Sequence, residues 1–325
     1  KTYLAFTNTR GPANCPIMIP LMDKNDEGRR SHYLTIQFAI PDAPADALCH
    51  TSFYRFADLS VPDAVVAIVR ELVEPLTGSV LVAREGISGA LAASANRIAA
   101  FEHALRTDPR LDGHFQHITF KHSACATSPF WKVRVHKKDE IVALGVPGVT
   151  GVAPNPDRSR HLSPQAWRDL LAQDDVVVID NRNSFEYRLG RFQNAIDPKV
   201  DNFRDFPSYV QAHADQWKAE GKKVAMYCTG GIRCEKTGMW MENLGLDVYQ
   251  LEGGILNFFQ SLPDAERDWQ GECFVFDNRI AIDTKLQETP TTADEVYNDS
   301  PDEAWRLERA HRLDSVNPKH NRKPS

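Results

Sequence analysis

The 325-residue chain is long enough for two ordinary domains, and its 42% hydrophobic and 25% charged residues are typical of a soluble globular protein. No apolar run approaches the roughly 20 residues that span a bilayer. The formal net charge of −6 excludes a general nucleic-acid-binding protein, so contact with RNA requires a local basic surface. The six cysteines are scattered at positions 15, 49, 125, 228, 234 and 273, which indicates a reducing cytoplasm rather than a disulfide framework.

The first half of the chain contains a polar extension and one predicted domain. Residues 1–50 are rich in turns, and no element is predicted in them. Between residues 51 and 144, hydrophobic periodicity predicts alternating strands and helices. In chain order they are a strand over Phe53–Leu59, a helix over Pro62–Pro75, strands over Ser79–Ala83 and Ser88–Ala93, a helix containing Ile98, Phe101 and Leu105, and strands over Phe115–Lys121 and Trp131–Lys137. The order β-α-β-β-α-β predicts a ferredoxin-like α+β domain.

The last strand of this domain alternates between apolar and basic residues. Period-two geometry places its tryptophan and two valines on one face and its basic residues on the other. We define the basic stripe as Lys121, Lys132, Arg134, His136, Lys137 and Lys138. Such a stripe suits the phosphates of a folded RNA, and the alternative is an ordinary solvated strand face. Among its members, Lys121, Lys132, Arg134 and Lys138 are the candidate RNA-binding residues.

The second half of the chain predicts a parallel α/β domain over residues 163–270. Residues 145–162 are rich in Gly and Pro and form the predicted linker. Strands then alternate with helices, as in a parallel sheet. The predicted elements are a helix from Pro164 capped by Ser163, a strand over Val176–Ile179, a helix over Ser208–Glu220, a strand over Val224–Tyr227, a helix over Arg233–Leu244, a strand over Asp247–Leu251 and a helix over Ile255–Leu262.

Residues 271–325 are predicted to form a C-terminal extension. Cys273–Ala281 is expected to pack back on the body of the protein. Ser300–Glu303 has the pattern of a capping box and predicts a short terminal helix after it. The final residues, 317–325, are expected to be disordered.

Cys228 follows a buried strand and precedes a helix, within the segment KKVAMYCTGGIRCE. Ligand sites gather at the carboxyl ends of strands in open α/β sheets. The free amides of a helix N-terminus lower the pKa of a thiol and hold an anion, and glycines let the backbone approach closely. We therefore interpret Cys228 as a nucleophile, and the alternative is an inert cysteine in the core. Its predicted cradle comprises Thr229, Gly230, Gly231, Ile232 and Arg233.

Three further residues are candidates for supporting roles. Asp180 and Arg182 lie at the carboxyl end of a strand, on the same sheet edge as Cys228. They are interpreted as loop support through a salt bridge and hydrogen bonds, with ordinary surface polarity as the alternative. Cys234 either resolves an oxidised Cys228 through a disulfide or is a small helix residue facing the core.

Several segments resemble known families. The four residues between Cys228 and Arg233 resemble the active-site loop of the rhodanese family, which cradles a cysteine persulfide. The segment VVVIDNRNSFEYRLGRFQNAIDP, from residue 176, resembles the same family's strand-and-turn pattern. The strings CTGGIRCEK, YQLEGGILNFF and FRDFP are similar to one branch, the bacterial tRNA uridine hydroxylase family. LVAREGISGALA also resembles that family, although Ser88 and Ala90 stand where it usually has Asn and Thr.

This resemblance implies an acylphosphatase-like, ferredoxin-like domain followed by a rhodanese-like domain. It implies oxygen-dependent hydroxylation at C5 of the wobble uridine, U34, with Cys228 as persulfide carrier and molecular oxygen as co-substrate. The implied partner is the anticodon region of tRNA, and the reductant is not specified. A rhodanese loop alone predicts sulfur transfer, so a persulfide-carrying sulfurtransferase acting on thiosulfate, a protein or tRNA is the alternative. A non-catalytic tRNA-binding or redox-sensing protein is a third possibility, against which the intact Cys228 argues.

No metal ion or organic cofactor is predicted. His114, His117 and His122 cluster around one strand, but no carboxylate beside them completes a recognisable facial triad, and ordinary histidines are the favoured interpretation. The sequence also contains no Rossmann glycine pattern and no P-loop.

Overall fold

The computed structural model describes residues 46–125, 127–152, 160–297 and 303–315. The predictions for residues 1–45, for Ser300–Asp302 and for residues 317–325 therefore lie outside the described residues. Within the described residues, no helix is both long enough and apolar enough to cross a membrane.

The N-terminal domain is a five-stranded sheet with two helices on one face. Its elements are β1 (Leu48–Phe56), α1 (Pro62–Leu72), β2 (Thr77–Ala83), β3 (Gly86–Ser94), α2 (Ala95–Thr107), β4 (Thr119–Ala124) and β5 (Val133–Lys137). The strand order is β4-β1-β3-β2-β5, and all pairings are antiparallel except β2 with β5. The first four strands and two helices confirm the ferredoxin-like order β-α-β-β-α-β.

The predicted bounds of two strands in this domain are wrong. The first strand begins at Leu48, before the predicted start at Phe53. The fourth begins at Thr119, whereas Phe115 and Ile118 lie in the loop before it and are fully buried. Because the loop contributes apolar side chains to the core, hydrophobicity alone placed the start of this strand too early.

The sheet face opposite the helices has a row of small residues between two basic ones. Across the sheet, pairing aligns Lys121, Ser52, Ala90, Ser79 and Arg134 in that order. Four strand spacings of ~4.8 Å separate the ends of this row by roughly 19 Å. The middle of this face is therefore a shallow floor, with a cation at each edge.

The second domain is built on a four-stranded parallel sheet of order β6-β10-β9-β7. Its elements are β6 (His161–Leu162), α3 (Pro164–Leu171), β7 (Val176–Asp180), α4 (Ser184–Leu189), β8 (Gly190–Phe192), α5 (Phe206–Ala219), β9 (Lys223–Tyr227), α6 (Ile232–Asn243), β10 (Asp247–Leu251), α7 (Gly254–Ser261) and β11 (Trp269–Gly271). Hydrophobic clusters cover both faces of the sheet. Burial on both faces explains why its strands are continuous apolar runs.

Local signals explain where two helices of this domain begin. The Ser163 hydroxyl accepts a hydrogen bond from the Ala166 amide and caps α3, as predicted. Helix α4 has only six residues and was not predicted from the sequence. Its start is nevertheless marked, because the Glu186 carboxylate accepts a hydrogen bond from the Asn183 amide.

The C-terminal extension packs on the second domain through an aromatic cluster. It contains β12 (Cys273–Phe274), β13 (Ala281–Ile282), α8 (Ala293–Tyr297) and α9 (Ala304–Ser315). β12 and β13 pair as an antiparallel hairpin. The rings of Phe185 and Phe274 lie 4.9 Å apart, and those of Phe185 and Tyr297 lie 5.1 Å apart.

A buried lysine joins the two domains. Lys236 on α6 is fully buried, and its Nζ donates to Glu85 Oε1 at 2.8 Å and to Glu140 Oε2 at 2.5 Å. Glu85 lies in the turn between β2 and β3, and Glu140 follows β5. This cluster fixes the N-terminal domain against the helix that follows Cys228.

Candidate active site

Cys228 lies at the end of β9, under the loop that leads into α6. Its Sγ accepts a hydrogen bond of 3.1 Å from the Gly231 amide, and the side chain is fully buried. Gly231 has a φ of +98°, which favours glycine, and a Cβ there would lie 2.9 Å from the Tyr54 hydroxyl. The loop therefore passes close to the sulfur at Gly231, and the role of residues 229–233 as a cradle stays a prediction.

Two cysteines of this site differ in pKa. Burial opposes ionisation of Cys228, but a hydrogen bond from the Cys234 thiol, the Arg233 charge and the amides of Cys234 and Arg233 hold its pKa well below the ordinary value. Burial and the hydrogen bond to Cys228 raise the pKa of Cys234 well above it. In this pair the Cys234 thiol donates to the Cys228 sulfur, which favours the ionised form of Cys228.

The Arg233 guanidinium is paired with a carboxylate rather than hydrogen-bonded to the sulfur. Its Nη1 and Nη2 lie 2.7 and 2.8 Å from the two carboxylate oxygens of Glu186, and both side chains are buried. Arg233 therefore acts on Cys228 through its charge. Glu186 lies in the segment from residue 176 that resembles the rhodanese pattern, and no role was predicted for it from the sequence. The signal for its position was the start of α4, which aims this carboxylate at the loop.

Asp180 and Arg182 form a buried network behind the Cys228 loop. Arg182 donates to both carboxylate oxygens of Asp180, at 2.8 and 2.6 Å, and to the Gly190 carbonyl at 2.6 Å. The hydroxyl of Tyr227, the residue before Cys228, donates to Asp180 at 2.8 Å. The network thus connects the ends of β7 and β9 beneath the loop.

The N-terminus of α7 supports the loop from another side. The amides of Ile255 and Leu256 donate to the carbonyls of Cys228 and Thr229, at 3.0 and 3.1 Å. A Cβ on Gly254 would lie 2.4 Å from the Cys228 carbonyl oxygen, so only glycine fits this approach. The second glycine of the segment YQLEGGILNFF is Gly254, and this close backbone approach requires it.

The N-terminal domain contacts the same loop through β1 and β4. The Tyr54 hydroxyl donates to Glu235 at 2.8 Å, and Lys121 Nζ donates to the Gly230 carbonyl at 2.5 Å. Burial lowers the pKa of Lys121 to about 8. Lys121 does not lie beside Lys132 and Arg134 as the basic stripe assumed, because β4 and β5 are opposite edges of the sheet. Proximity in sequence did not reveal the strand order.

A cleft of about 1210 Å³ lies between the sheet face of the N-terminal domain and the Cys228 loop. Its walls combine small residues, cations and aromatic rings. The residues from the floor and the stripe are Ser52, Ser79, Ser88, Ala90, Lys121, Lys132, Arg134, His136 and Lys138. Those from the loop are Cys228, Thr229, Gly230, Ile232 and Arg233, and the C-terminal extension adds residues 275–279. The cleft is large enough for a nucleotide with its neighbouring phosphates.

The three histidines considered for a metal do not converge. His122 Nε2 lies 2.6 Å from Glu102 Oε1, and the ring of His114 neighbours that of Phe115. In the part of the chain that the structure describes, no group of three or more His, Cys, Asp or Glu side chains is arranged to hold a metal ion.

Comparison with known proteins places this site in a family. A UPF0176 acylphosphatase-like domain model matches residues 48–141, and a rhodanese-like domain model matches residues 163–261. A tRNA uridine(34) hydroxylase of Deinococcus radiodurans is 45% identical over 240 residues, 73% of this chain and 76% of the relative. The chain belongs to the tRNA uridine(34) hydroxylase family. A Legionella pneumophila (strain Corby) protein of the same name is 40% identical over 79% of this chain and 96% of its own.

Membership in the tRNA uridine(34) hydroxylase family confirms the expected fold class, an acylphosphatase-like domain followed by a rhodanese-like one. Residues 1–49 match a separate model described as amino acid synthesis. Among solved structures, a rhodanese-related protein from Thermoplasma volcanium is 23% identical and covers 31% of this chain and 91% of its own. Its TM-score of 0.24 is too low to support an inference.

Proposed function

We propose that this protein is an enzyme that hydroxylates C5 of uridine 34 in tRNA, with the sulfur of Cys228 as its reactive group. The observation that carries the proposal is an intact rhodanese-like cysteine loop in a chain 40–45% identical to tRNA uridine(34) hydroxylases. The cleft beside that loop supports a nucleotide as substrate, because it joins a reactive sulfur to a basic sheet edge.

The substrate base enters the cleft from an unpaired region of the RNA. C5 of a uridine is accessible to a buried sulfur only when the base is splayed out of its stack. The anticodon loop supplies such a base at position 34. We therefore propose that the protein contacts the anticodon region and acts in the cytoplasm.

Cys228 acts as a persulfide carrier, whose thiolate takes the outer sulfur of a sulfane donor such as thiosulfate while sulfite leaves. Its Sγ is fully buried under the loop, so a substrate cannot approach that atom freely. A second sulfur bound to Sγ extends the reactive group by about 2 Å, the length of a sulfur–sulfur bond. A persulfide that extends along the cleft would place its terminal sulfur nearer the substrate. The loop amides would then stabilise the charge of the inner sulfur.

Lys132, Arg134 and Lys138 contact RNA phosphates. Their side chains are exposed at β5 and just beyond it, and all three line the cleft. Exposed cations that track one edge suit a phosphate backbone. Lys121, the fourth residue of the predicted set, holds the Cys228 loop through the Gly230 carbonyl and acts as a positioning residue.

The reaction consumes molecular oxygen and a two-electron reductant. Insertion of one oxygen atom into the C5–H bond leaves the other atom, which becomes water by taking up two electrons and two protons. The residues of this chain bind the base, orient its C5 edge and exclude water from the sulfur.

Nucleoside mass spectrometry on tRNA from a deletion strain tests this function. Complementation with the wild-type gene is expected to add one oxygen atom to uridine 34. Replacement of one oxygen by sulfur, which exact mass distinguishes from the nearly equal gain of one oxygen, would instead establish the tRNA sulfurtransferase, an alternative that the names of the relatives do not favour. No change in mass at that nucleoside would contradict both tRNA activities.

A further inference from the structure

An exposed aromatic ring lies in the wall of the cleft. Phe276 is 63% exposed, and among the described residues it is the one large hydrophobic side chain more than half exposed that also lines the cleft. Its neighbour Phe274 is buried. Exposure of a phenylalanine ring to water is unfavourable, and aromatic rings in nucleic-acid clefts are commonly stacking surfaces for bases.

The backbone holds this ring in place. Phe276 lies at the tip of the β12–β13 hairpin, where the Val275 amide donates to the Ile280 carbonyl at 2.8 Å. The tip is also tied to the N-terminal domain, because Arg279 donates to the Ser123 hydroxyl at 2.7 Å and to Asp277 at 2.6 Å. The hairpin therefore spans both domains and presents a fixed aromatic surface.

The Phe276 ring lies close to the loop around Cys228. The guanidinium carbon of Arg233 lies 6.0 Å from the centre of the Phe276 ring, and Arg233 belongs to the loop around Cys228. The rings of Phe274 and Phe276 are nearly perpendicular, with centres 5.0 Å apart, and Phe276 stays mostly exposed where it lines the cleft. A planar base lying on that surface would be next to the active-site loop.

We propose that Phe276 stacks on the target uridine and orients it beside the Cys228 loop. This inference rests on the proposed function and adds a substrate-binding residue from the C-terminal extension to it. Stacking on a phenylalanine face holds a base without reading its identity, so the ring selects an unstacked nucleotide while other contacts select uridine.

Steady-state kinetics on purified enzyme and a tRNA transcript provide the first test. Removal of an aromatic stacking partner lowers affinity by about 10-fold to 100-fold. Phe276→Ala is expected to raise KM by that factor with kcat nearly unchanged, since the contact is made equally in the ground and transition states. Phe276→Tyr, which keeps the ring, is expected to restore KM.

Trp305→Ala is the matched control. Trp305 is another aromatic side chain about half exposed, it lies on α9, and it does not line the cleft. This variant is expected to keep the wild-type KM. An unchanged KM in Phe276→Ala, or an equal loss in both variants, would overturn the inference.

Photochemical crosslinking gives a readout that a purely structural role would not produce. A transcript carrying 5-iodouridine at position 34 is irradiated on the full-length protein, and the crosslinked peptide is identified by mass spectrometry. We expect attachment at Phe276 and its loss in Phe276→Ala. Attachment to another side chain, or no attachment, contradicts stacking on this ring.

The two tests separate this inference from the proposed function. The crosslink depends on binding and is scored whether or not the transcript is turned over. The inference alone would be refuted by three results together. The wild-type enzyme hydroxylates uridine 34, Phe276→Ala leaves KM unchanged, and no crosslink forms at Phe276. A wild-type enzyme that never oxidises uridine 34 under conditions where tRNA crosslinks at Phe276 would refute the proposed function alone.

Discussion

Replacement of Lys236 by methionine is expected to destabilise the whole protein. Lys236 Nζ contacts Glu85 at 2.8 Å, Glu140 at 2.5 Å and the Val142 carbonyl at 3.0 Å. Methionine fills much of the same space but removes the cation. Glu85 and the partly buried Glu140 then lose their cation and keep hydrogen bonds from the backbone amides of Ile141 and Leu144.

The cost follows from the burial of the cluster. Breaking a buried ion pair by removing one partner costs about 3–5 kcal/mol, because the remaining charge is uncompensated. Typical domains have a free energy of unfolding of about 5–15 kcal/mol, so this is a large fraction of the total. At the about 2–4 °C per kcal/mol that holds for domains of roughly 150–250 residues, the melting temperature is expected to fall by roughly 6–20 °C.

Urea denaturation at neutral pH, monitored by circular dichroism, measures this change. Lys218→Met is the matched control, since Lys218 pairs with Asp215, whose side chain is 96% exposed, and such pairs contribute less than about 1 kcal/mol. Glu85→Gln in the Lys236→Met background is expected to recover part of the loss. The reasoning is refuted when Lys236→Met unfolds within about 1 kcal/mol of the wild type.

Three further predictions concern the loop and the cleft. Burial opposes ionisation of Glu186, but Arg233 lowers its pKa from the ordinary value of 4.5. Its stabilising contribution is therefore present above that value and is lost as the pH falls through the lower pKa of the folded state. Urea titrations at pH 6 and pH 3 should therefore show a larger loss for wild type than for Glu186→Gln, and equal losses would contradict this. In Gly254→Ala, the added Cβ would lie 2.4 Å from the Cys228 carbonyl oxygen. We expect this variant to lose more than about 1 kcal/mol of the free energy of unfolding, measured by thermal denaturation, and to hydroxylate less. An unchanged melting temperature would show that the loop tolerates a Cβ. Arg134→Ala should weaken tRNA binding and reduce the salt slope by about 1 in filter assays, and an unchanged slope would exclude a phosphate contact.

The cysteine loop could be predicted from sequence because its determinants are local. A strand of five residues, two glycines and a helix start follow one another without a break around Cys228. Gly231 adopts a positive φ, and its own amide donates to the sulfur. Such features depend on neighbours in the chain, so a single sequence contains them.

Contacts between distant segments could not be predicted in the same way. Lys121 was grouped with Arg134 because they are close in sequence, but the sheet order separates them by three intervening strands. The contacts of Tyr54 and Lys236 cross between domains, and their geometry depends on how the two domains pack against each other. No periodicity in one segment encodes that orientation. Phe276 was not predicted for the same reason, because an exposed ring indicates a binding role only when the cleft beside it is known.

Nucleoside mass spectrometry with Cys228→Ala tests the central claim most directly. The variant replaces the sulfur by hydrogen in a buried site, and its folding is checked by circular dichroism against Cys49→Ala, a buried cysteine of the N-terminal domain. In a deletion strain, we expect wild type and Cys49→Ala to restore the additional oxygen at uridine 34, and folded Cys228→Ala to leave it absent. Normal hydroxylation by folded Cys228→Ala would contradict the account, because the Cys228 sulfur would then have no part in the reaction.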